Sequence, residues 1–306
     1  MIIANPIYDV VFKYLLDDLD IAKELLSTIL DIKIEHLVVK SQEELVKTET
    51  GDIRIFRLDF KAIIHLENGE KKKILIELQK AKQSYDIVRF RKYLAKNYLE
   101  DDVIDDENGQ QISVPLEIIT IYFLGFTLKN VPIPVLKVQR SFKDAVTKET
   151  LEVEEDFINL LTHESYTIQI PRLKLKQQND MEQVLEIFNQ DNATEDKHRI
   201  DYQGKPENPL VKKMVRRLTK AAADAELSHQ MDAEDAVDRL LNRERAKYDA
   251  AMKENEAMLK EKDAKLEEKD AMLEEKDAKL EEKDAMLEQF RLENEQLRAM
   301  LKEKNQ

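Results

Sequence analysis

Two acidic residues in the first third of the chain have the types and spacing of a metal-binding pair. Asp59 follows Arg-Leu in one strand-like segment, and Glu77 stands 18 positions later in another. If the two carboxylates lie directly opposite one another on adjacent strands, they repel unless a proton or a cation lies between them. Such a pair, with one further ligand at the next alternate position, can hold a magnesium ion, which lowers the pKa of a bound water and neutralises charge on a phosphoryl transition state. The alternative is that both carboxylates decorate a solvated strand face.

The loop length of this hairpin decides which side chains share a face. Asn68-Gly69, between two apolar segments, is a strong turn signal. A two-residue loop would place Phe60 opposite Glu77 and mix apolar with polar residues. A three-residue loop over 67–69, with Gly69 in the left-handed conformation, places Asp59 opposite Glu77. It also separates an apolar face, formed by Leu58, Phe60, Ala62, Ile64, Ile74, Ile76 and Leu78, from a polar face, formed by Arg57, Asp59, Lys61, Glu77 and Gln79.

The segments around the hairpin alternate between helical and strand-like patterns. Apolar residues at helical spacing predict a helix over Tyr8–Leu30, with a break near Asp17–Asp20, and a second helix over Ser84–Leu99. Short apolar runs predict strands over Ile34–Val39, roughly 53–66 and 71–80, and Leu116–Leu124. The order is αβββαβ, which indicates the α/β class. The run Lys71–Lys73 is interpreted as the charged protection of an edge strand.

The motifs on these elements resemble those of a known family. The segment Asp-Val-Val-Phe-Lys at 9–13 precedes Arg-Leu-Asp-Phe at 57–60 and Ile-Glu-Leu-Gln at 76–79. Val-Arg-Phe-Arg-Lys-Tyr at 88–93 and the strand Pro-Leu-Glu-Ile-Ile-Thr-Ile-Tyr-Phe-Leu at 115–124 follow. In this order the motifs resemble the PD-(D/E)XK nuclease superfamily, and more narrowly its recombination-promoting nuclease (Rpn) or transposase-like group. The resemblance covers about residues 5–170.

The resemblance implies a restriction-endonuclease-like αβββαβ core with a mixed sheet, followed by helices and a long C-terminal helix. It implies metal-dependent cleavage of DNA, with Asp59 and Glu77 as ligands of Mg²⁺ or Mn²⁺. Gln79 stands where the superfamily usually has a lysine. Because an amide carries no charge, Lys61 or Lys13 is expected to help Gln79 position the nucleophile.

The resemblance and the charge pattern also suggest roles for residues on the two predicted helices. Asp9 matches an acidic position of the family and is expected to steer a second metal ion or a water; the alternative is a first-turn residue that favours the helix dipole. The helix after the hairpin carries residues that are expected to contact DNA phosphates, with a solvated helix face as the alternative: Arg89, Arg91, Lys92, Tyr93 and Lys96.

The composition limits the classes of protein that fit the chain. Its 306 residues include 63 acidic and 49 basic side chains, a net charge of −14, which argues against indiscriminate coating of nucleic acid. The chain has no cysteine, which excludes disulfides, thiolate zinc sites and cysteine nucleophiles. It shows neither a signal peptide nor an apolar run of membrane-spanning length, so the expectation is a cytoplasmic protein without membrane contact.

The last part of the chain is a heptad repeat. Residues 261–288 are four near-identical heptads with leucine at position a and lysine at position d. Leu287 is the last leucine at position a in these four heptads. Beyond them, Phe290, Asn294, Leu297 and Leu301 continue the a and d pattern with mostly apolar residues. We expect a parallel homodimer anchored there; the alternative is a solvated single helix with Glu–Lys pairs. The predicted regions are a nuclease-like domain (1–175), a helical region (176–250) and the heptad helix (251–306).

Two functions from different classes fit these patterns. The first is a metal-dependent DNA endonuclease that acts as a dimer on DNA. The alternative is a non-catalytic interaction or scaffold protein that retains the nuclease fold and works through its coiled-coil tail. The acidic pair and Gln79 favour the first, while the net negative charge and the missing lysine keep the second open.

Overall fold

A computed structural model of the chain describes residues 1–40, 43–47, 53–57, 60–80, 86–105, 108–153, 155–173, 179–204 and 206–304. Its α-helices are α1 (Asp9–Leu16), α2 (Leu19–Leu30), α3 (Asp86–Leu99), α4 (Asp156–Leu161), α5 (Asp180–Leu185), α6 (Pro209–Ala222) and α7 (Ala225–Lys304). Short 3₁₀ helices cover Ile170–Arg172 and Glu186–Phe188.

Within the described residues, the strands form one main sheet and four two-stranded ribbons. The six strands of the main sheet are β2 (Ile34–Val39), β5 (Phe60–Leu66), β6 (Lys71–Gln79), β9 (Glu117–Leu124), β10 (Val135–Val138) and β13 (His163–Gln169). The ribbons pair β1 (Ile2–Ala4) with β14 (Arg199–Asp201), β3 (Glu43–Lys47) with β4 (Ile53–Arg57), β7 (Asp102–Asp105) with β8 (Gln111–Val114), and β11 (Phe142–Lys143) with β12 (Thr150–Leu151).

The main sheet is mixed and has the strand order β10-β13-β9-β6-β5-β2. Strand β9 runs parallel to both of its neighbours, β6 and β13, whereas the other pairs are antiparallel. The predicted α/β class, the mixed sheet and the long C-terminal helix are therefore confirmed. The single strand expected over 53–66 is instead divided between β4, which pairs with β3, and β5, which lies in the main sheet.

The hairpin between β5 and β6 has the predicted register and turn. Phe60 pairs with Ile76, and the pairing continues without a shift to His65 and Lys71. Gly69 has a φ of 87°, and its N–H donates to the carbonyl of Leu66 over 3.0 Å. This left-handed conformation is unfavourable for residues that have a side chain. Glycine at this position therefore permits the three-residue loop, and the loop length determines the register of the two strands.

The interpretation of Lys71–Lys73 as an edge-strand device is wrong. Strand β6 lies in the interior of the sheet, between β5 and β9. The side chain of Lys73 is 1% exposed, and its Nζ forms a 2.6 Å ion pair with Asp102 on β7. A lysine can occupy such a position because a carboxylate from elsewhere in the chain compensates its buried charge. Asp102 lies 29 residues away, beyond the reach of a local pattern.

The helices cover both sides of the main sheet. The predicted break in the first helix is confirmed: α1 ends at Leu16, and the side chain of Asp18 accepts a hydrogen bond from the N–H of Ile21, which starts α2. Both helices pack on the face that carries Phe60 and Ile76, in the larger hydrophobic core. Helix α3 covers the opposite face in a smaller core, formed by Leu75, Phe90, Tyr93 and Ile118.

The chain separates into two compact units, the first of which is residues 1–234. Helices α5 and α6, which were predicted to begin a separate region at residue 176, pack with α1 and α2 in the same large core. The reason is the strongly amphipathic pattern of α6, which buries Leu210, Met214 and Leu218 on one side and exposes most of its basic residues on the other.

The second unit begins at Asp235 and contains the rest of α7. It is a single continuous helix, as the absence of proline and glycine from this segment predicts. The leucines at position a of its repeats are exposed, with Leu273 at 56% and Leu287 at 65%. In the part of the chain that the structure describes, no helix is both long and apolar enough to cross a bilayer.

Candidate functional site

Glu77 and Gln79 lie at the end of β6, on the side of the sheet that α3 covers. Side chains alternate along a strand, so both share this side with Leu75, which belongs to the core beneath α3. The side chain of Glu77 is 4% exposed. Across the parallel strand β9, Glu77 pairs with Tyr122 and Gln79 with Leu124. The structure therefore places the two predicted site residues together, in a protected position at the centre of the sheet.

A cavity of about 310 Å³ lies beside these two residues. Its walls come from α3, from β9 and the segment that follows it, and from Thr167 on β13. Apart from Glu77, Gln79, Arg91 and two hydroxyl groups, the lining is apolar or aromatic: Ile87, Phe90, Leu94, Leu124, Phe126 and Leu128. Glu77 is thus largely shielded from solvent, because α3 and the residues after β9 form the walls of the cavity around it.

The ring of Tyr122 forms one wall of this cavity. It packs edge-to-face on Phe90, with ring centroids 4.4 Å apart. Burial raises the pKa of the Tyr122 hydroxyl far above its ordinary value, an effect opposed by a hydrogen bond with Thr120 and reinforced by the negative charge of Glu77. The hydroxyl therefore stays protonated at any physiological pH and is available as a hydrogen-bond donor.

A glycine at the end of β9 allows the two parallel strands to meet above the cavity. The N–H of Gly125 donates to the carbonyl of Gln79 over 2.7 Å. A Cβ atom at residue 125 would lie only 2.3 Å from the backbone oxygen of Lys80, which backbone atoms cannot avoid by a rotamer change. Gly125 is not among the predicted site residues, although a glycine directly after an apolar strand is a signal for close backbone approach.

Of the two lysines expected to assist Gln79, the structure favours Lys61. Lys61 lies on β5 directly opposite Leu75, so its side chain points to the same side of the sheet as Glu77. Lys13 instead lies on α1, on the opposite side of the sheet, and its Nζ forms a 2.6 Å ion pair with Asp9. Asp9 and Lys13 therefore pair with each other on α1, which packs on the face of the sheet opposite to Glu77.

A second charged cluster, which sequence reasoning did not find, lies on that opposite side. The Nζ of Lys80 is 2.5 Å from Oε1 of Glu234 on α7 and 3.5 Å from the centre of the Tyr8 ring. The same Glu234 oxygen accepts a hydrogen bond from the N–H of Asp9 over 3.2 Å. Burial raises the pKa of the Glu234 carboxyl, against the opposing charge of Lys80. More than 150 residues separate Lys80 from Glu234, so no motif could have revealed the pair.

Helix α3 presents two of its predicted DNA-binding residues to solvent. Arg91 and Lys92 are exposed, and Arg91 borders the cavity. Lys96 is partly exposed and lies 3.6 Å from Glu100. Tyr93, at 4% exposure, belongs to the core beneath α3 rather than to the outer face, because it follows Phe90 by three positions on the buried helical stripe. The side chain of Arg89 lies outside the described residues.

The second predicted metal ligand, Asp59, also lies outside the described residues. Among the residues that are described, no three histidine, aspartate or glutamate side chains lie close enough to hold a metal ion. The donors present beside the cavity are the Glu77 carboxylate and the Gln79 amide, both of which offer oxygen. Oxygen ligands are the kind that Mg²⁺ prefers, so this half of the site fits the predicted ion in its chemistry.

Comparison with known proteins identified no relative. No protein-family model matches the sequence, and neither the curated proteins nor the solved structures contain a significant match.

Proposed function

We propose that the protein is a metal-dependent DNA endonuclease of the Rpn or transposase-like type, with a restriction-endonuclease-like core. The observation that carries the proposal is the position of Glu77, a carboxylate 4% exposed at the end of the central strand, beside Gln79 and a cavity. A carboxylate and an amide beside one cavity supply oxygen ligands of the kind that Mg²⁺ prefers. The order of β2, β5, β6, α3 and β9 along the chain also supports a core of this type.

In this proposal each residue of the site has a distinct role. Asp59 and Glu77 would hold Mg²⁺ or Mn²⁺ through carboxylate oxygens. When bound, the ion would supply a water of lowered pKa and would neutralise charge on the phosphoryl group. The Gln79 amide would orient the attacking water by hydrogen bonding. Lys61, on the same side of the sheet as Glu77, would supply the positive charge that the usual lysine provides in this superfamily.

The remaining groups would bind the DNA backbone. Arg91 and Lys92 are exposed on α3, and Arg91 borders the cavity that contains Glu77. Arg91 and Lys92 are consecutive, so their side chains point in directions about 100° apart around the helix. A guanidinium and an ammonium placed in this way can contact different phosphates of the DNA backbone. Asp9 and Lys13, which pair with each other on α1, would act on the structure around the site rather than on the phosphate.

The test is nicking of supercoiled plasmid by the full chain with Mg²⁺, Mn²⁺ or EDTA. The variants Glu77→Gln and Asp59→Asn keep the shape of each side chain and remove its charge. We expect nicking by the parent with either metal, and by neither variant above the EDTA level. Glu35→Gln, at an exposed position on β2 of the same sheet, is the matched control and should nick like the parent. If Glu77→Gln and Asp59→Asn also nick like the parent, the proposed site is wrong.

The second candidate is an interaction protein that works through α7. The observation in its favour is the 80-residue helix with exposed leucines at seven-residue spacing. A parent protein that never nicks DNA with either metal, yet associates through residues 251–306, would favour this function over the first.

A further inference from the structure

The cavity beside Glu77 is larger and more apolar than phosphodiester cleavage alone requires. A phosphate and its metal ion need charged and polar surroundings, which Glu77, Gln79 and Arg91 offer at one part of the lining. The rest of the lining, including Phe90, Leu94 and Phe126, offers almost no hydrogen-bonding group. A volume of about 310 Å³ falls at the lower end of the range of small-molecule pockets and suits a single planar ring system.

Three aromatic rings surround this space. Phe90 and Tyr122 pack edge-to-face, with their ring centroids 4.4 Å apart. Phe126, on the segment after β9, lines the cavity as well. Aromatic side chains that line a groove next to basic residues bind nucleobases by stacking, whatever the base. The Gln79 amide at the edge of the cavity has both a donor and an acceptor, which suits the hydrogen-bonding edge of a base.

We propose that the cavity binds one unpaired nucleobase of the DNA substrate, next to the scissile phosphate. This inference rests on the proposed nuclease function, which it deepens by naming the substrate class: single-stranded or locally unpaired DNA. A base within a duplex is stacked and paired, and its extrusion from the duplex costs free energy. That cost is smaller in a single strand, which has no base pair to break, so the cavity favours strands whose bases are already unpaired.

The experiment measures binding of an 18-mer oligonucleotide with one central 2-aminopurine, in EDTA so that no cleavage occurs. The single strand is compared with its duplex and with an 18-mer of the same backbone that is abasic at every position. Tight binding of the single strand, with at least tenfold weaker binding of the other two, is expected. Tenfold corresponds to about 1.4 kcal/mol, within the contribution of one base stacked on an aromatic side chain.

Phe126→Ala tests the cavity itself. Phe126 is partly buried on the segment after β9, and its loss should weaken single-strand binding about tenfold without a shift of the urea midpoint of unfolding. Phe157→Ala is the matched control, because Phe157 is 72% exposed on α4 and does not line the cavity. If Phe126→Ala shifts the urea midpoint, Leu128→Trp, which fills the same cavity, replaces it and should weaken binding as strongly.

The outcomes separate this inference from the nuclease proposal. Base-dependent single-strand binding in EDTA by a protein that never nicks plasmid would support the nucleobase site and overturn the nuclease proposal. Metal-dependent nicking by a protein that binds duplex, abasic and intact strands equally would overturn the nucleobase site alone. Binding by Phe126→Ala or Leu128→Trp at the parent's affinity would also overturn it.

Discussion

Lys73 shows how one buried residue depends on a partner that lies far away in the sequence. Its Nζ pairs with Asp102 over 2.6 Å and donates to the carbonyl of Asn97 over 3.0 Å. Asn97 in turn donates to the carbonyl of Tyr93, so the ion pair links the end of α3 and the β7–β8 ribbon to the central strand. Removing one member would leave the other charge buried without its counterion.

Lys73→Met is therefore expected to lower the free energy of unfolding by about 3–5 kcal/mol, measured by urea unfolding. The double variant Lys73→Met with Asp102→Leu removes both charges and should recover more than half of that loss. Lys137→Met is the control, because Lys137 is 42% exposed in its pair with Glu164 and should cost less than about 1 kcal/mol. A Lys73→Met variant as stable as this control would show that the pair contributes nothing.

The buried carboxyl of Glu234 should make the free energy of unfolding depend on pH. Because burial raises the pKa of its carboxyl in the folded protein, the folded state holds this proton more tightly than the unfolded chain does. The contribution of Glu234 to the free energy of unfolding should therefore fall as the pH rises from the ordinary value of 4.5 through the raised pKa, and then stay constant. Urea unfolding of the parent and of Glu234→Gln between pH 4 and 8 checks this.

The quantity to follow is the parent's free energy of unfolding minus that of Glu234→Gln. This difference should decrease with pH in that window, because only the parent has the titrating group. Glu226→Gln, at an exposed position near the start of α7, should show no such trend. A difference that rises with pH would mean that Lys80 outweighs burial and lowers the pKa of Glu234.

At the scale of elements, the ends of β6 and β9 are held together by a glycine. Gly125→Ala would place a Cβ 2.3 Å from the backbone oxygen of Lys80, so the strand ends must separate. The variant should be less stable than Gly69→Ala, where nothing lies within 4 Å and the left-handed conformation costs about 1–2 kcal/mol. Urea unfolding compares the two variants.

The same separation should affect the candidate site, because the N–H of Gly125 donates to the Gln79 carbonyl. Plasmid nicking by Gly125→Ala should fall by more than the fraction of unfolded protein explains, whereas Gly69→Ala should nick like the parent at a temperature where it is folded. Equal nicking by both variants would show that the strand ends do not position Gln79.

At the scale of the whole molecule, the homodimer that we propose depends on the heptad-repeat part of α7. The four heptads of α7 place exposed leucines such as Leu266 and Leu280 on one seam and lysine at the intervening position. Ion pairs such as Glu261–Lys265, 2.6 Å apart, stabilise the helix without a partner. Leucine and lysine in alternation bury little apolar area per heptad, so these repeats would act mainly as a spacer.

Removing residues 288–306 is therefore expected to weaken dimerisation more than deleting two of the four heptads, which preserves the heptad phase. The deleted end contains Phe290, 61% exposed, and Leu297 and Leu301, whose side chains lie outside the described residues. Sedimentation equilibrium on the full chain and both deletions measures the effect. A monomeric full chain, or a dimer indifferent to the loss of 288–306, would contradict the proposal.

The sequence by itself determined the features that depend on neighbours along the chain. The register of the β5–β6 hairpin follows from Gly69 and the alternation of apolar residues on either side of it. The break between α1 and α2 follows from the capping side chain of Asp18, and the length of α7 from the absence of proline and glycine. Each of these signals lies within a few residues of the feature that it predicts.

Only the tertiary structure decided which of these residues meet. It placed the Asp9–Lys13 pair on the helix that packs on the face opposite to Glu77. It also placed α3 over this side of the central strand, so that Glu77 borders a cavity. These outcomes depend on which side of the sheet each helix packs against, and periodicity along a single segment carries no information about the partner that will cover it.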